Sequence, residues 1–200
     1  MKILALELSS GQGSIAWRDG EGEPRETQFA NDRKHSGLFF SSLRELLAAS
    51  GNADCIVVGI GPGSYAGTRI AIAAAIGLQA ATGAELVGLP SLCAMPTADE
   101  EYCVLGDARR QSFFFARVHN RRCVEGPILY HAAELHACLG SVSCPVFTSE
   151  QLPEFSSAVV AHPSAAVLAV LAASEHPDLI RAPLEPLYLR DPHITQPRSG

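Results

Sequence analysis

Apolar and polar residues follow one another along the chain in a pattern that predicts a regular series of strands and helices. Short apolar runs bounded by turn residues are typical of strands, and apolar residues three or four apart are typical of helices. In the first half of the chain these patterns predict elements at residues 3–8, 14–17, 25–29, 35–50, 55–60, 65–82 and 86–89. The predicted order is β-β-β-α-β-α-β, which indicates an α/β fold.

A reduced version of the same order begins about a hundred residues later. It consists of strands at residues 102–105, 112–118, 124–130 and 145–147 and helices at 132–139 and 164–173. In both copies the first strand leads to an acidic residue, Glu7 or Asp107, and a polar turn follows. We therefore expect two related lobes, residues 1–97 and 98–200, with a cleft between them. The tail from about residue 192 is expected to be mobile.

The second predicted helix has no charged residue from position 70 to position 84. A helix with one face in water normally carries charges on that face, so we expect both faces of this helix to be covered. One cover is the sheet of its own lobe, and the other is either the second lobe or a different protein. If a protein covers it, the expected contact residues lie on this helix and the preceding one, at Phe39, Phe40, Leu43, Leu47, Ile70, Ala73, Ala74 and Gly77. An apolar patch of that kind usually marks an interaction site.

Three glycines, Gly61, Gly63 and Gly67, form a turn between a strand and this helix. The turn is not a Walker A loop, because Thr68 stands where that loop has lysine. It is not a dinucleotide fingerprint either, because three residues rather than two separate the last two glycines. Two interpretations stay open: an anion site at the start of the helix, or a tight turn in which Ser64 caps the helix.

The composition narrows the classes of function. A formal net charge of −6 argues against a protein that binds nucleic acid by itself, since the arginine pairs at 109–110 and 121–122 are its densest basic spots. There is no secretory signal pattern and no apolar span of about 20 residues, so we expect a cytosolic protein without a membrane segment. The six cysteines include no C-x-x-C pair, and we expect them to be reduced and mostly buried.

Metal and hydrolase chemistry find little support in the sequence. The cluster of His131, His136, Cys138 and Cys144 has a spacing that fits no common zinc pattern, so we expect structural roles for these residues. Ser64 lies on a turn between strand and helix, but its neighbours do not form the G-x-S-x-G nucleophile motif. The candidate bases for such a nucleophile are His35, His119 and His162, and nothing in the pattern links any of them to Ser64.

Six segments together resemble a known family, the bacterial TsaB (YeaZ) proteins of tRNA threonylcarbamoyladenosine biosynthesis, which are related to TsaD. The segments are ILALELS, the His35-Ser36 pair, GPGSYAGTRIA, GLPSL, GDARR and PLYLR. The resemblance implies the two-lobed fold shared by actin, sugar kinases and the Hsp70 ATPase domain. It also implies a non-catalytic subunit that supports the catalytic TsaD when threonylcarbamoyl is attached to the adenosine beside the tRNA anticodon.

The resemblance further implies partners. They are a TsaD-type subunit, which contacts the two helices described above, and a TsaE-type ATPase in the assembled complex. We also expect self-pairing through the same helices when TsaD is absent, and contact with tRNA only through the complex.

Two departures from the family pattern bear on chemistry. The first strand ends in Glu7-Leu8-Ser9, where relatives usually have Asp-Thr-Ser, and this weakens the case for nucleotide hydrolysis. Ser91 and Met95 occupy the positions at which TsaD-like proteins carry two metal-binding histidines. We therefore expect no catalytic residue, no metal and no intrinsic cofactor.

The remaining alternatives are a weak nucleotide site and two rival functions. ADP or ATP could bind in the cleft at Ser9, Ser10, Gly61, Gly63 and Asp107, or at a subunit contact. The rivals are an ATPase or phosphotransferase that acts alone and, with less support, a metallopeptidase. Asp107 beside Arg109 and Arg110 fits either a phosphate contact or a structural ion pair.

Overall fold

A six-stranded sheet and a five-stranded sheet form the two lobes of the protein. The computed structural model describes residues 1–31 and 36–190. The strand order is β11-β5-β4-β1-β2-β3 in the first sheet and β10-β9-β6-β7-β8 in the second. The tail from about residue 192, predicted to be mobile, and His35, a candidate base, lie outside the described residues.

The first lobe has the predicted order of elements. Its strands and helices are β1 (Lys2–Glu7), β2 (Gln12–Asp19), β3 (Arg25–Ala30), α1 (Ser36–Ser50), β4 (Cys55–Gly59), α2 (Tyr65–Thr82) and β5 (Glu85–Leu89). Strands β1, β4 and β5 are parallel, β2 is antiparallel to β1, and β3 is antiparallel to β2. The prediction that Ser64 caps the second helix is confirmed, because its hydroxyl oxygen accepts a hydrogen bond from the backbone N–H of Gly67 at 3.2 Å.

The second half of the chain repeats this order with shorter helices, in agreement with the predicted reduced copy. Its elements are β6 (Glu101–Asp107), β7 (Ser112–His119), β8 (Arg122–His131), α3 (Ala132–Leu139), β9 (Val146–Thr148), β10 (Val159–Val160) and α4 (Ala165–Ala173), and β11 (Ile180–Arg181) follows. Strands β6, β9 and β10 are parallel, β7 is antiparallel to β6, and β8 is antiparallel to β7. Among the described residues no helix is both long and apolar enough to cross a membrane.

The central core lies between the two sheets and contains α4. Along β1, Ile3 and Ala5 face this core, while Leu4 and Leu6 face the opposite side of the sheet. Both faces of the strand are therefore covered, which explains its uninterrupted apolar sequence. Helix α4 packs on β1, β2 and β4 of the first sheet and shares the central core with strands of the second. Its sequence, AAVLAVLAA, is apolar on every side because protein surrounds most of it.

Helices α1 and α2 cover the other face of the first sheet. Helix α2 packs on β1, β4 and β5 through residues that include Ala71, Ile72 and Ala75. Since α4 brings the second lobe to the opposite face, the second lobe does not cover the outward side of α2. One interpretation of the charge-free helix is therefore wrong, namely that the second lobe covers it.

The predicted contact residues divide between the core and the surface. Phe39 and Leu43 are buried, with 2% and 6% of their surface exposed, and they pack on the first sheet. The prediction that these two residues contact a partner is therefore wrong. They lie on the apolar side of α1 that packs on the sheet. The remaining predicted residues are exposed or half-buried: Phe40, Leu47, Ile70, Ala73, Ala74 and Gly77.

The final strand, β11, departs from the predicted lobe boundary. Residues 98–200 were assigned to the second lobe, yet β11 pairs antiparallel with β5 at the edge of the first sheet. This pairing supplies hydrogen bonds for backbone groups of β5 that would otherwise lie at an open edge. The segment that follows β11 stays on the first lobe, where the N–H of Leu187 donates to the carbonyl oxygen of Ile60 at 2.8 Å.

The cluster of histidines and cysteines has structural contacts. His131 and Glu134 form a capping box at the start of α3. The ring of His136 lies 4.6 Å from the ring of Phe155, centroid to centroid. In residues 1–31 and 36–190 no three His, Cys, Asp or Glu side chains are grouped closely enough to share a metal ion.

The first lobe holds the start of α4 through two polar side chains. The carboxylate of Glu26 accepts hydrogen bonds from the hydroxyl of Ser164 at 2.9 Å and from the N–H of Ala166 at 3.2 Å. The hydroxyl oxygen of Ser14 accepts a bond from the N–H of Ala165 at 2.9 Å. The first N–H groups of a helix have no partner within the helix, so these contacts fix α4 against β2 and β3.

We predict that Glu26→Ala lowers the free energy of unfolding by about 1–2 kcal/mol, because it leaves two donors at the start of α4 without their acceptor. Urea unfolding followed by circular dichroism measures this change. Glu21→Ala, on the exposed turn after β2, is the matched control and should unfold like the unaltered protein. Equal stability of Glu26→Ala and the control would show that Glu26 does not anchor the helix.

Candidate functional site: the cleft between the lobes

A cleft of about 860 Å³ opens between the lobes near the carboxyl ends of β1 and β6. The first lobe contributes the turn after β1 and the glycine turn that leads into α2. The second lobe contributes the turn after β6 and the loop after β9, and the segment after β11 closes one side. The residues that matter most for its chemistry are Ser9, Ser10, Gly63, Ser64, Tyr65, Asp107, Arg109, Glu150 and Tyr188.

The glycine turn lies directly against the end of β1. The N–H of Ser64 donates to the carbonyl oxygen of Ser9 at 2.6 Å. A Cβ atom at Gly63 would overlap that same carbonyl group, and one at Gly67 would overlap the carbonyl oxygen of Leu8. Gly63 also has a positive φ of 155°. These glycines are needed because two backbone segments touch here, which supports the tight-turn interpretation.

The five predicted nucleotide contacts do not all reach the cleft. Ser9, Ser10, Gly63 and Asp107 line it, whereas Gly61 lies behind the turn. The N–H of Gly61 donates to the hydroxyl oxygen of Ser91 at 3.0 Å, and its carbonyl oxygen accepts from the N–H of Ser91 at 2.8 Å. The prediction that Gly61 contacts a nucleotide is therefore wrong. Its backbone hydrogen-bonds the glycine turn to Ser91, just after β5.

The second-lobe wall is a polar turn with an unusual backbone. Three successive residues, Arg109, Arg110 and Gln111, have φ values of 65°, 56° and 58°. Residues with a side chain rarely adopt this left-handed backbone conformation, so hydrogen bonds around the turn must stabilise it. The carboxylate of Asp107 accepts from the N–H of Arg109 at 2.6 Å and from its guanidinium at 2.9 Å. Asp107 therefore forms the structural ion pair that the sequence left as one of two alternatives.

One carboxylate of the second-lobe wall was not predicted at all. Glu150, in the loop after β9, accepts a hydrogen bond from the N–H of Asp107 at 2.9 Å. It lies 43 residues from Asp107 along the chain, and no local pattern links the two residues.

An exposed cluster of two tyrosines and an arginine forms the rim of the cleft. The guanidinium carbon of Arg69 lies 3.7 Å from the ring centroid of Tyr65, which is one helical turn away. Nη2 and Nε of Arg69 also donate to the hydroxyl of Tyr188 at 2.6 and 3.0 Å. No local sequence pattern links Arg69 to Tyr188, because the two residues are 119 positions apart.

Glu7 points away from the cleft and into the protein. It is fully buried, and one carboxylate oxygen accepts from the N–H of Ser9 at 2.7 Å. The other oxygen has no hydrogen-bond partner among residues 1–31 and 36–190. The carboxyl group fits there because residue 59 is glycine: a Cβ at that position would overlap it. Burial raises the pKa of Glu7 above its ordinary value, which favours the neutral, protonated form.

The serines at the cleft have structural hydrogen bonds. The hydroxyl oxygen of Ser64 caps α2. Ser10 donates to the carbonyl oxygen of Gln12 at 2.7 Å, and Nδ1 of His162 lies 3.1 Å from the hydroxyl oxygen of Ser10. The hydroxyl of Ser10 thus has a backbone acceptor for its proton, whereas a general base for a nucleophilic serine must accept that proton.

Comparison with known proteins places the chain in a family. Residues 28–138 match the family model for TsaD, tRNA N6-adenosine threonylcarbamoyltransferase. Uncharacterized proteins of Mycobacterium tuberculosis and Mycobacterium bovis are 30% identical over 166 residues, which cover 76% of this chain and 71% of theirs. The chain belongs to the TsaD family. The family-level resemblance predicted from the six sequence segments is thereby confirmed.

Solved structures confirm the predicted fold of this TsaD-family chain. YeaZ from Pseudomonas aeruginosa superimposes with a TM-score of 0.73 at 23% identity, over 94% of this chain and 99% of that one. A second Pseudomonas aeruginosa structure, described as an uncharacterized protein with similarity to peptidase YEAZ, gives a TM-score of 0.75 with the same identity and coverage. The chain therefore has the α/β fold of these YeaZ structures.

The two residues that the sequence resemblance matched to metal-binding histidines of TsaD-like proteins, Ser91 and Met95, lie in the core of this chain. Each of Ser91 and Met95 has only 1% of its surface exposed, and neither lines the cleft. The hydroxyl oxygen of Ser91 accepts a hydrogen bond from the N–H of Gly61. The side chains at these positions therefore build the first lobe.

We predict that the Glu7→Gln variant gains stability relative to the unaltered protein as pH rises. The pKa of Glu7 is about 4.5 in the unfolded chain and higher in the folded protein. At a pH between the unfolded and the folded pKa, the folded state holds a proton that the unfolded state has released. Stability contributed by that proton is complete below about pH 4.5 and is lost as pH rises through the folded pKa. Glutamine keeps the shape of the protonated acid and cannot ionise.

Urea unfolding from about pH 4.5 to pH 8 measures this difference, with Glu21→Gln on the exposed turn as the control for loss of a carboxylate. The stability of Glu7→Gln minus that of the unaltered protein should increase with pH, whereas the control difference should stay flat. A difference that decreases with pH would show that Glu7 is stabilised as a carboxylate.

Proposed function

We propose that this chain is a TsaB-type, non-catalytic subunit in tRNA threonylcarbamoyladenosine biosynthesis. It binds a TsaD-type catalytic subunit through the outward side of α1 and α2. The observation that carries the proposal is the uncovered apolar side of these helices, together with membership of the TsaD family. A TsaE-type ATPase joins the assembled complex, and tRNA is contacted through that complex.

The outward side of the two helices carries large apolar side chains in water. Phe40 is 54% exposed, Ile76 is 47% exposed and Leu38 is 41% exposed. Large exposed apolar residues gathered on adjacent elements are typical of a protein interaction site, whereas isolated ones are ordinary. Leu38 and Ile76 join the residues that the sequence predicted for this surface.

Small residues on α2 leave room for a second helix. Ala73 and Gly77 are exposed and lie one turn apart. A Cβ atom built at Gly77 meets no other atom within 4 Å, so the helix surface is open there. Close approach of two helices from each partner would form a four-helix bundle. We propose that the chain pairs with itself through the same surface when the catalytic subunit is absent.

The chemistry of the cleft supports the non-catalytic part of the proposal. Transfer of a phosphoryl group needs carboxylates that hold a divalent cation beside the phosphates. The first-lobe wall has no carboxylate among the described residues that line the cleft, because Glu7 is buried behind it. On the second-lobe wall, Asp107 is bonded to Arg109 and Glu150 to the backbone.

One observation favours the rival function of an ATPase that acts alone. The cleft is large enough for a nucleotide, and Arg109 offers a positive charge at its wall. A nucleotide could therefore bind weakly at Ser9, Ser10, Gly63 and Asp107 without being hydrolysed. We propose that ADP or ATP binds weakly in the cleft, or at a subunit contact, and that this chain does not hydrolyse it.

We predict that Ile76→Glu weakens both self-pairing and binding to the TsaD-type subunit by about tenfold or more, since a charge would be buried in an apolar contact. Size-exclusion chromatography with light scattering measures self-pairing, and calorimetric titration measures the affinity for the partner. The position is nearly half exposed in the single chain, so the variant should fold and keep its circular dichroism spectrum.

Val124→Glu is the matched control, because Val124 on β8 of the other lobe is 58% exposed and receives the same charge. The control should pair and bind like the unaltered protein. If Ile76→Glu also binds normally, the interface lies elsewhere. Leu43→Glu is unsuitable as a test, because Leu43 is a core residue and its replacement would unfold the lobe.

We predict that the purified chain hydrolyses ATP with Mg²⁺ no faster than the background rate, and that Asp107→Ala leaves this rate unchanged. Release of phosphate measures turnover, and a titration with ADP and ATP in the same buffer measures binding separately. Turnover well above background that disappears in Asp107→Ala would reject the non-catalytic proposal and favour the rival.

A further inference from the structure

Two cysteines of the second lobe lie in contact. The sulfur atoms of Cys103 and Cys144 are 3.5 Å apart, although the residues are 41 positions apart along the chain. Cys103 lies within β6 and pairs in register with Val146 of β9, and its N–H donates to the carbonyl oxygen of Pro145 at 2.8 Å. Cys144 lies just before β9, and the contact between the two sulfurs shows that both side chains lie on the same side of the sheet. Both cysteines belong to the outer core of this lobe.

The two thiols differ in access. Cys103 is fully buried, and burial raises the pKa of its thiol to about 12. Cys144 is half-buried, so of the two residues it is the one with surface open to solvent. The guanidinium of Arg117 favours the thiolate of Cys103, while the charge of Glu101 opposes it. Reaction with a solute therefore begins at Cys144, and Cys103 is placed to react with the product.

We propose that Cys103 and Cys144 form an oxidisable dithiol, which peroxide converts to a disulfide within the second lobe. The thiolate of Cys144 attacks one oxygen of hydrogen peroxide, the O–O bond breaks, and water leaves after protonation. The sulfur of Cys103 then attacks the sulfenic sulfur of Cys144. The S–S bond forms, the S–O bond breaks, and the hydroxide leaves as water with the proton of Cys103. Two thiols and one peroxide give one disulfide and two waters.

The geometry allows this bond with a local movement. A disulfide has an S–S distance of about 2.05 Å, so the sulfurs must approach by about 1.5 Å from their 3.5 Å contact. Cys103 is fixed within a central strand of the sheet. Residues 141–145, which include Cys144, lie between α3 and β9 and belong to neither element, so this segment can make the movement. The new bond would fasten the entry of β9 to β6.

The test is oxidation of the folded chain with a small excess of hydrogen peroxide, followed by thiol counting and mass spectrometry of a digest without reductant. We expect two fewer free thiols than the six of the reduced protein and a peptide pair joined through Cys103 and Cys144. The midpoint of thermal unfolding should rise by roughly 5–10 °C, because the cross-link restricts the unfolded chain. Dithiothreitol should reverse both changes.

Two variants complete the test. Cys144→Ser should keep all its remaining thiols at the same dose and show no rise in the midpoint. Cys138→Ser is the matched control, since Cys138 packs at the same outer core from α3, and it should form the joined peptide normally. Six free thiols after oxidation, a joined peptide that contains a different pair, or sulfinic acid at Cys144 with no disulfide would each overturn the proposal.

Discussion

Burial of α4 between the two sheets is the constraint on which the rest of the structure depends. The helix has no charged residue, and Leu168 and Ala169 are completely buried. It attaches the second lobe to one face of the first sheet, and Glu26 and Ser14 fix its first turn there. That arrangement leaves α1 and α2 on the opposite face, with their outward side free. It also leaves the cleft open near the carboxyl ends of β1 and β6. The position of α4 therefore determines where both the helix surface and the cleft lie.

The acid at the end of β1 has a structural position. Glu7 lies against Gly59 and does not line the cleft. Its pKa is raised by burial, and its neighbour Leu8 packs in the core of the first lobe. Its carboxyl group accepts the N–H of Ser9 and so holds the turn that follows the strand. These contacts agree with a protein whose contribution is made through its surface.

Much of the fold could be predicted because its signals are local. The order of strands and helices follows from short-range periodicity, and the capping serine follows from its place before the helix. The burial of Phe39 and Leu43 could not be predicted in the same way, because Phe40 beside them is equally apolar and the pattern does not say which side meets the sheet. Strand β11 was missed because its two residues carry no strand signal and its pairing is decided by the free edge of β5.

The candidate site was predicted only in part, for a related reason. Ser9, Gly63 and Asp107 follow strands, and strand ends are where this fold forms its cleft. The ion pair of Asp107 was one of two alternatives that only the positions of atoms could separate. Contacts between distant segments, such as Arg69 with Tyr188 or Asp107 with Glu150, depend on the assembled lobes and leave no mark in a single sequence.

Hydrogen exchange of this chain, alone and with a TsaD-type subunit, tests the central claim most directly. The account predicts slower exchange in the partner complex within residues 36–50 and 65–82, with α4 and β8 unchanged. Slower exchange confined to the second lobe, or no change at all when the two proteins are mixed at high concentration, would contradict it.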